Sequence, residues 1–159
     1  ARMNGIKYIK GDLFQNLPTD KNIVISHVCN NLGKIASGFV VPLIKKWPKV
    51  KEEYLKNFKL GNVNFVEVEP NITVANMISQ VGLIGINNKR PLKYDILVDC
   101  MKLVGWYTKN HFLKGEEASI YAPKFGSLRS GGNWSFIEEL INDIWITNDI
   151  KVTIFEYKE

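Results

Sequence analysis

Two segments carry glycines beside polar side chains where a strand-like run gives way to a helix-like one: CNNLGKIASG at 29–38 and GSLRSGGNW at 126–134. The first turn of a helix has backbone N–H groups without carbonyl partners, and these can hold an anion. In the first segment Ser37, Gly38 and Phe39 would supply such N–H groups. Gly33 and Gly38 would let backbone come close to a ligand, and Asn30 and Asn31 could hydrogen-bond ribose hydroxyls. In the second, Gly131 and Gly132 stand just ahead of a helix that Ser130 or Asn133 could cap, and Arg129 could pair with a phosphate. A diphosphate needs donors from both sides, and two such loops give that. For either segment alone a plain connecting loop is the alternative, because glycine and asparagine are common turn residues.

Other residues suggest further chemistry. His27 lies near the end of an apolar run and could act as an acid or base near neutral pH, or be a buried histidine satisfied by a neighbour. Cys29 shares its strand face, but no further ligand clusters with the pair, so no metal site is expected. A buried Cys29 thiol is expected to be inert. Asp12, in GDLF, could accept from the amino group of adenine or simply cap a turn. Phe155 and Tyr157 could stack on a base, with core packing as the alternative.

These residues need a scaffold, and the pattern alternates. Strands are expected at 6–11, 22–30, 62–69, 71–80, 117–125 and 150–157, and helices at 37–47, 50–58, 94–112 and 134–145. The run 22–30 is apolar throughout and rich in β-branched residues, as a buried strand should be. Ser37 is the expected cap of the first helix, which tolerates Pro42 in its opening turns, and Gly61 closes the second. The β-α-β-α-β order of the last part predicts parallel pairs with helices on both faces, hence one α/β/α domain. In such open sheets ligands bind beyond the carboxyl ends of the strands. Three loops follow strands there, SQVGLIGINN at 79–88 being the third, and they are expected to converge on one crevice.

The bulk properties set bounds. The 159 residues, 45% hydrophobic and 23% charged, are ordinary for a soluble domain with a real core. Two cysteines, Cys29 and Cys100, each in an apolar segment, suit a reducing compartment: cytoplasmic is expected, with a nuclear site left open. No run is long enough to span a membrane, and the start lacks a signal-like apolar stretch. Ala1 and Arg2, ahead of Met3, are read as a remnant, leaving one domain over 3–159. The net charge of +5 favours anionic ligands. RNA is a weaker candidate, since only Arg90 and Arg129 remain as arginines and no aromatic-arginine interleaving is present.

Taken together, YIKGDLF, ISHVCNN, SGFVVPLIKKWP, LGNVNFVEVE, ITVANMISQ, RPLKYDIL and APKFG…GGNW resemble the macro domain, the ADP-ribose-binding fold, over nearly the whole chain. The pattern is most similar to the small single-domain branch that contains the ADP-ribose 1''-phosphate phosphatases. The resemblance implies a three-layer α/β/α fold with a mixed central sheet and no cofactor. It implies that Asp12 recognises adenine with backbone donors at Leu13, and that Asn30 and Asn31 lie near the distal ribose. Gly33, Ser37, Gly38 and Phe39 would form one phosphate-facing loop, and Ser127, Leu128, Arg129, Ser130, Gly131 and Gly132 the other. His27 would be the catalytic histidine, and Gln80 would lie beside the site.

The chain departs from that branch in both loops. GKIASG stands where GAWGSG is expected, and GSLRSGG where GAGLAGG is expected, so that Leu128 replaces a glycine and is expected to divert the backbone. Asn133 stands where aspartate is usual. The lysine and aspartate of ester-cleaving relatives correspond to Gln80 and Ser130 here, which argues against that activity. The leading expectation is recognition of ADP-ribose with hydrolysis of ADP-ribose 1''-phosphate. The rival is a non-catalytic reader of ADP-ribose, an ADP-ribosylated protein or another NAD-derived nucleotide.

Overall fold

The computed structural model describes residues 5–156 apart from Ala36. Tyr157, Ala1 and Arg2 lie outside the described residues. Six strands form one sheet: β1 (Ile6–Lys10), β2 (Asn22–Asn30), β3 (Val63–Glu69), β4 (Ile72–Gln80), β5 (Ala118–Pro123) and β6 (Lys151–Glu156). Their order is β1-β6-β5-β2-β4-β3. Every pairing is parallel except β3 with β4, so the sheet is mixed with one antiparallel edge.

Four helices cover the two faces: α1 (Val40–Lys46), α2 (Lys49–Lys56), α3 (Tyr94–Asn110) and α4 (Trp134–Ile144). On one face Val24, Ala75 and Met77 pack with Leu97, Met101 and Val104 of α3 and Ile137 and Ile141 of α4. On the other, Ile23, Ile25, Val74 and Ile78 pack with Leu43 of α1 and Val50 and Tyr54 of α2. Alternate residues of β2 and β4 feed alternate cores, as the period of a strand requires. Because β4 lies between β2 and β3 and under helices on both sides, all nine of its residues are buried. Phe155 is part of the second core, beside Tyr121, and is not a surface for a base.

Element boundaries differ from expectation where local chemistry intervenes. The first helix starts at Val40, and Ser37 does not cap it. Pro42 then falls in the first turn, where its missing N–H leaves no bond unmade. Helix α2 ends at Lys56 with Asn57 as its cap residue, ahead of Gly61. Asn133, not Ser130, caps α4 by accepting from the N–H of Phe136 at 3.1 Å. Three short 3-10 helices were not anticipated: Leu13–Gln15, Leu128–Ser130 and Ile146–Asn148.

Candidate functional site

Strands β5, β2 and β4 are adjacent and parallel, so their carboxyl ends emerge side by side. The loops that follow them are fastened together. Asn31 accepts from the N–H of Gly82 through Oδ1 at 3.0 Å, joining the loops after β2 and β4. Ser130 donates its hydroxyl to Oε1 of Gln80 at 3.0 Å, and its carbonyl accepts from the N–H of Leu92 at 3.1 Å, joining the loops after β5 and β4. The remaining approach closes the crevice: the Cδ of Arg129 lies 3.9 Å from where a β-carbon on Gly38 would stand. Among the described residues, the backbone N–H groups of Ser37, Gly38 and Phe39 on one wall and of Ser127, Leu128 and Arg129 on the other donate to no protein acceptor. The loops after β2 and β5 therefore meet at Gly38 and Arg129, and each carries a row of backbone donors without protein partners, which suits an anion.

The glycines of the opening motif have a different use from the expected one. A β-carbon on Gly131 would sit 2.2 Å from the carbonyl oxygen of Lys89, and one on Gly132 would sit 2.3 Å from that of Gly126. Their N–H groups are already given, to Leu128 at 3.0 Å and to Gly126 at 2.8 Å. Gly131 and Gly132 let the segment Lys89–Leu92 pass against the loop, and the donors facing the cleft lie at 127–129. Leu128 adopts φ +52, the left-handed conformation that glycine takes readily, with its side chain 77% exposed.

Asn30 and Gly33 also have structural jobs. Asn30 accepts through Oδ1 from the N–H of Leu32 at 2.9 Å and the hydroxyl of Tyr54 at 2.9 Å, while its Nδ2 donates to the carbonyl of Lys34 at 2.5 Å. Gly33 gives its N–H to the Tyr54 hydroxyl at 3.1 Å, and a β-carbon there would touch the Phe58 ring at 3.1 Å. Both residues shape the loop from within. Asn31 keeps an amide Nδ2 with no protein partner among the described residues. Tyr54 was not anticipated as a site residue; the available signal was a tyrosine on the apolar face of a helix, which reads as core.

Asp12 caps the turn Leu13–Gln15, accepting from the N–H of Phe14 at 2.8 Å, while the Leu13 side chain is fully buried. Phe14 stacks on Phe39 with ring centroids 5.4 Å apart, which brings the Asp12 turn against the first loop. Beneath Phe39 lies His27, 4% exposed, with ring centroids 5.8 Å apart. His27 Nε2 is 2.5 Å from Oδ1 of Asn76. Asn76 gives its Nδ2 to the carbonyl of Val50 and to Asn64, which fixes its oxygen toward the ring. The proton therefore sits on Nε2, and Nδ1 is the acceptor. Burial lowers the His27 pKa to about 4, against the raising effect of Asn76, so the ring is neutral at pH 7. Asn76 was missed; a lone asparagine in the middle of an apolar strand was its signal.

A macrodomain protein from Streptomyces coelicolor matches this architecture with a TM-score of 0.77 and 33% identity, over 94% of this chain and 97% of that one. This chain belongs to the macro domain family. A crystal structure of a protein from Bacteroides thetaiotaomicron is also similar to this macro domain, with a TM-score of 0.82 and 36% identity, over 95% of this chain and 99% of that one. The ADP-ribose 1''-phosphate phosphatase of Candida albicans is 38% identical over 77 residues, which cover 44% of this macro domain and 49% of that enzyme. The matched stretch thus spans about half the length of that relative. No family model matches the sequence.

Proposed function

We propose that this macro domain binds ADP-ribose in the cleft between loops 31–39 and 124–133 and hydrolyses the phosphate ester of ADP-ribose 1''-phosphate. The observation that carries the reading is the pair of donor rows, Ser37–Phe39 and Ser127–Arg129, held across the ends of three parallel strands. The diphosphate lies between these rows. Asp12 receives the adenine amino group, and the free amide of Asn31 meets the distal ribose. Gln80, tied to Ser130, forms the floor beside it.

In the hydrolytic step a water oxygen attacks phosphorus, the bond from phosphorus to the 1''-oxygen breaks, and the leaving oxygen takes a proton. The products are ADP-ribose and inorganic phosphate. Backbone N–H groups of both loops stabilise the charge on the phosphoryl oxygens. His27, neutral and unprotonated at an Nδ1 that lies 3.9 Å from the Cys29 Sγ, is suited to orienting water through a hydrogen bond and is too weak a base to hold a proton at pH 7. The name of the Candida relative supports the hydrolytic part.

One observation favours a second reading, a non-catalytic reader of ADP-ribose or of an ADP-ribosylated protein. His27 is covered by Phe39 and engaged with Asn76. Calorimetric titration with ADP-ribose, with AMP as control, tests the binding, and phosphate release from ADP-ribose 1''-phosphate tests the turnover. Tight ADP-ribose binding with no phosphate released supports the reader, and equal affinity for AMP and ADP-ribose overturns both readings.

A further inference from the structure

Arg129 differs from the protein's other exposed cations in what holds it. Its neighbours are fixed on both sides. Ser130 is 5% exposed and anchored by its hydroxyl and carbonyl, and Gly131 lies against the Lys89 carbonyl. On the other side Leu128 is held at φ +52 with its side chain largely in solvent. A leucine in that conformation is strained, and its exposed side chain recovers little of the cost. The strained position aims residue 129 across the cleft, where its side chain rests over Gly38 of the opposite loop. No carboxylate pairs with Arg129 among the described residues, whose ion pairs are Lys56–Glu53, Lys124–Glu156 and Lys151–Glu117. A strained residue beside an arginine with no carboxylate partner, whose side chain reaches the opposite loop through its Cδ, marks a functional constraint.

We infer that Arg129 is a latch: its guanidinium spans the two loops and pairs with the diphosphate of the bound nucleotide, setting how long the ligand stays. This rests on the cleft being the ADP-ribose site. A planar guanidinium can engage two phosphoryl oxygens at once, which a lysine cannot copy. Gly38 takes φ +77, a conformation that other residues adopt only under strain, so glycine keeps the opposite loop in the shape on which the arm rests.

The test measures association and dissociation rates of ADP-ribose, and equilibrium binding of inorganic pyrophosphate, for the native protein, Arg129→Leu and Arg129→Lys. Arg129→Leu is expected to speed ADP-ribose dissociation at least tenfold and weaken pyrophosphate binding by a similar factor. Arg129→Lys should recover only part of each. Because Arg129 is exposed, both variants should melt as the native protein does. Unchanged dissociation and pyrophosphate affinity in Arg129→Leu would overturn the latch while leaving the nucleotide site standing. Pyrophosphate binding lost in Arg129→Leu, in a protein that ignores ADP-ribose, would keep the latch and overturn the nucleotide. A native protein that binds neither overturns both.

Discussion

The hydroxyl of Ser130 donates to Oε1 of Gln80 at 3.0 Å, so residues 50 positions apart tie the loop after β5 to the end of β4. Both are buried, at 5% and 9% exposure. The contact is a neutral pair, a hydroxyl against an amide oxygen. Ser130→Ala leaves the Gln80 oxygen without its donor and should lower stability by about 1 kcal/mol. Ser130→Asp should cost more, because a carboxylate then faces that oxygen. Adding Gln80→Lys should restore part of the loss. Urea unfolding of the single and double variants measures this coupling, and strictly additive losses would show that the pair does not interact.

Close backbone approach makes a second prediction. Gly131→Ala places a methyl 2.2 Å from the Lys89 carbonyl oxygen and should cost about 3 kcal/mol or more. Gly61→Ala is the comparison. It shares a positive φ of +91 but has nothing within 4 Å, so only the conformational penalty of about 1 kcal/mol remains. Equal losses in thermal unfolding would mean that strain, not the passing segment, demands glycine at 131.

Leu128→Gly should go the other way. It removes the left-handed strain of about 1–2 kcal/mol and adds back about 0.5–1 kcal/mol of unfolded-chain entropy. Since the side chain is mostly exposed, stability should stay level or rise by up to about 1.5 kcal/mol. A clear drop in the urea midpoint would reveal packing by Leu128 that the folded structure does not show.

The buried histidine sets a pH dependence. The His27 pKa falls from 6.5 in the unfolded chain to about 4 in the folded protein, chiefly through burial. The unfolded chain therefore takes up this proton first as pH drops. The contribution is whole above pH 6.5 and is lost between 6.5 and 4, amounting to roughly 3 kcal/mol. Urea unfolding at pH 7.5 and 4.5 should show His27→Gln losing that much less than the native protein. Phosphate release, if it needs neutral His27, should be level from pH 6 to 8.

Burial also raises both thiols, Cys100 to about 12. Neither should react with a disulfide reagent at pH 7.5 until the protein unfolds, and both should then react. Rapid labelling of the folded protein would place one of them at the surface.

Much of this was legible in the sequence because local chemistry carried it. The β-branched run of β2, the periodic apolar face of α3 and the turn residues between strands placed the elements within a few positions. The cleft loops were legible for the same reason, since glycine and asparagine mark where a strand stops. What each polar residue does was not. Asn30 looks like a ligand contact until Tyr54, on a helix 24 positions later, takes its oxygen. Gly33 looks like an opening until the Phe58 ring fills the space beside it. Leu128 looks like a break in a glycine pattern, yet surrounding bonds hold it in the conformation a glycine prefers. Such roles depend on partners brought near only by the fold.

The place of β6 between β1 and β5 matters during synthesis. On a ribosome, β1 emerges ahead of the other described strands, yet its hydrogen-bonding partner is β6, the one that comes last among them, at residues 151–156. Until then β1 and β5 each present a bare edge, which is where chains stick to one another. Nascent chains halted at residue 145 should be cut by protease within β1 and should attract chaperones, whereas the arrival of β6 covers the facing edges of β1 and β5 in a single event.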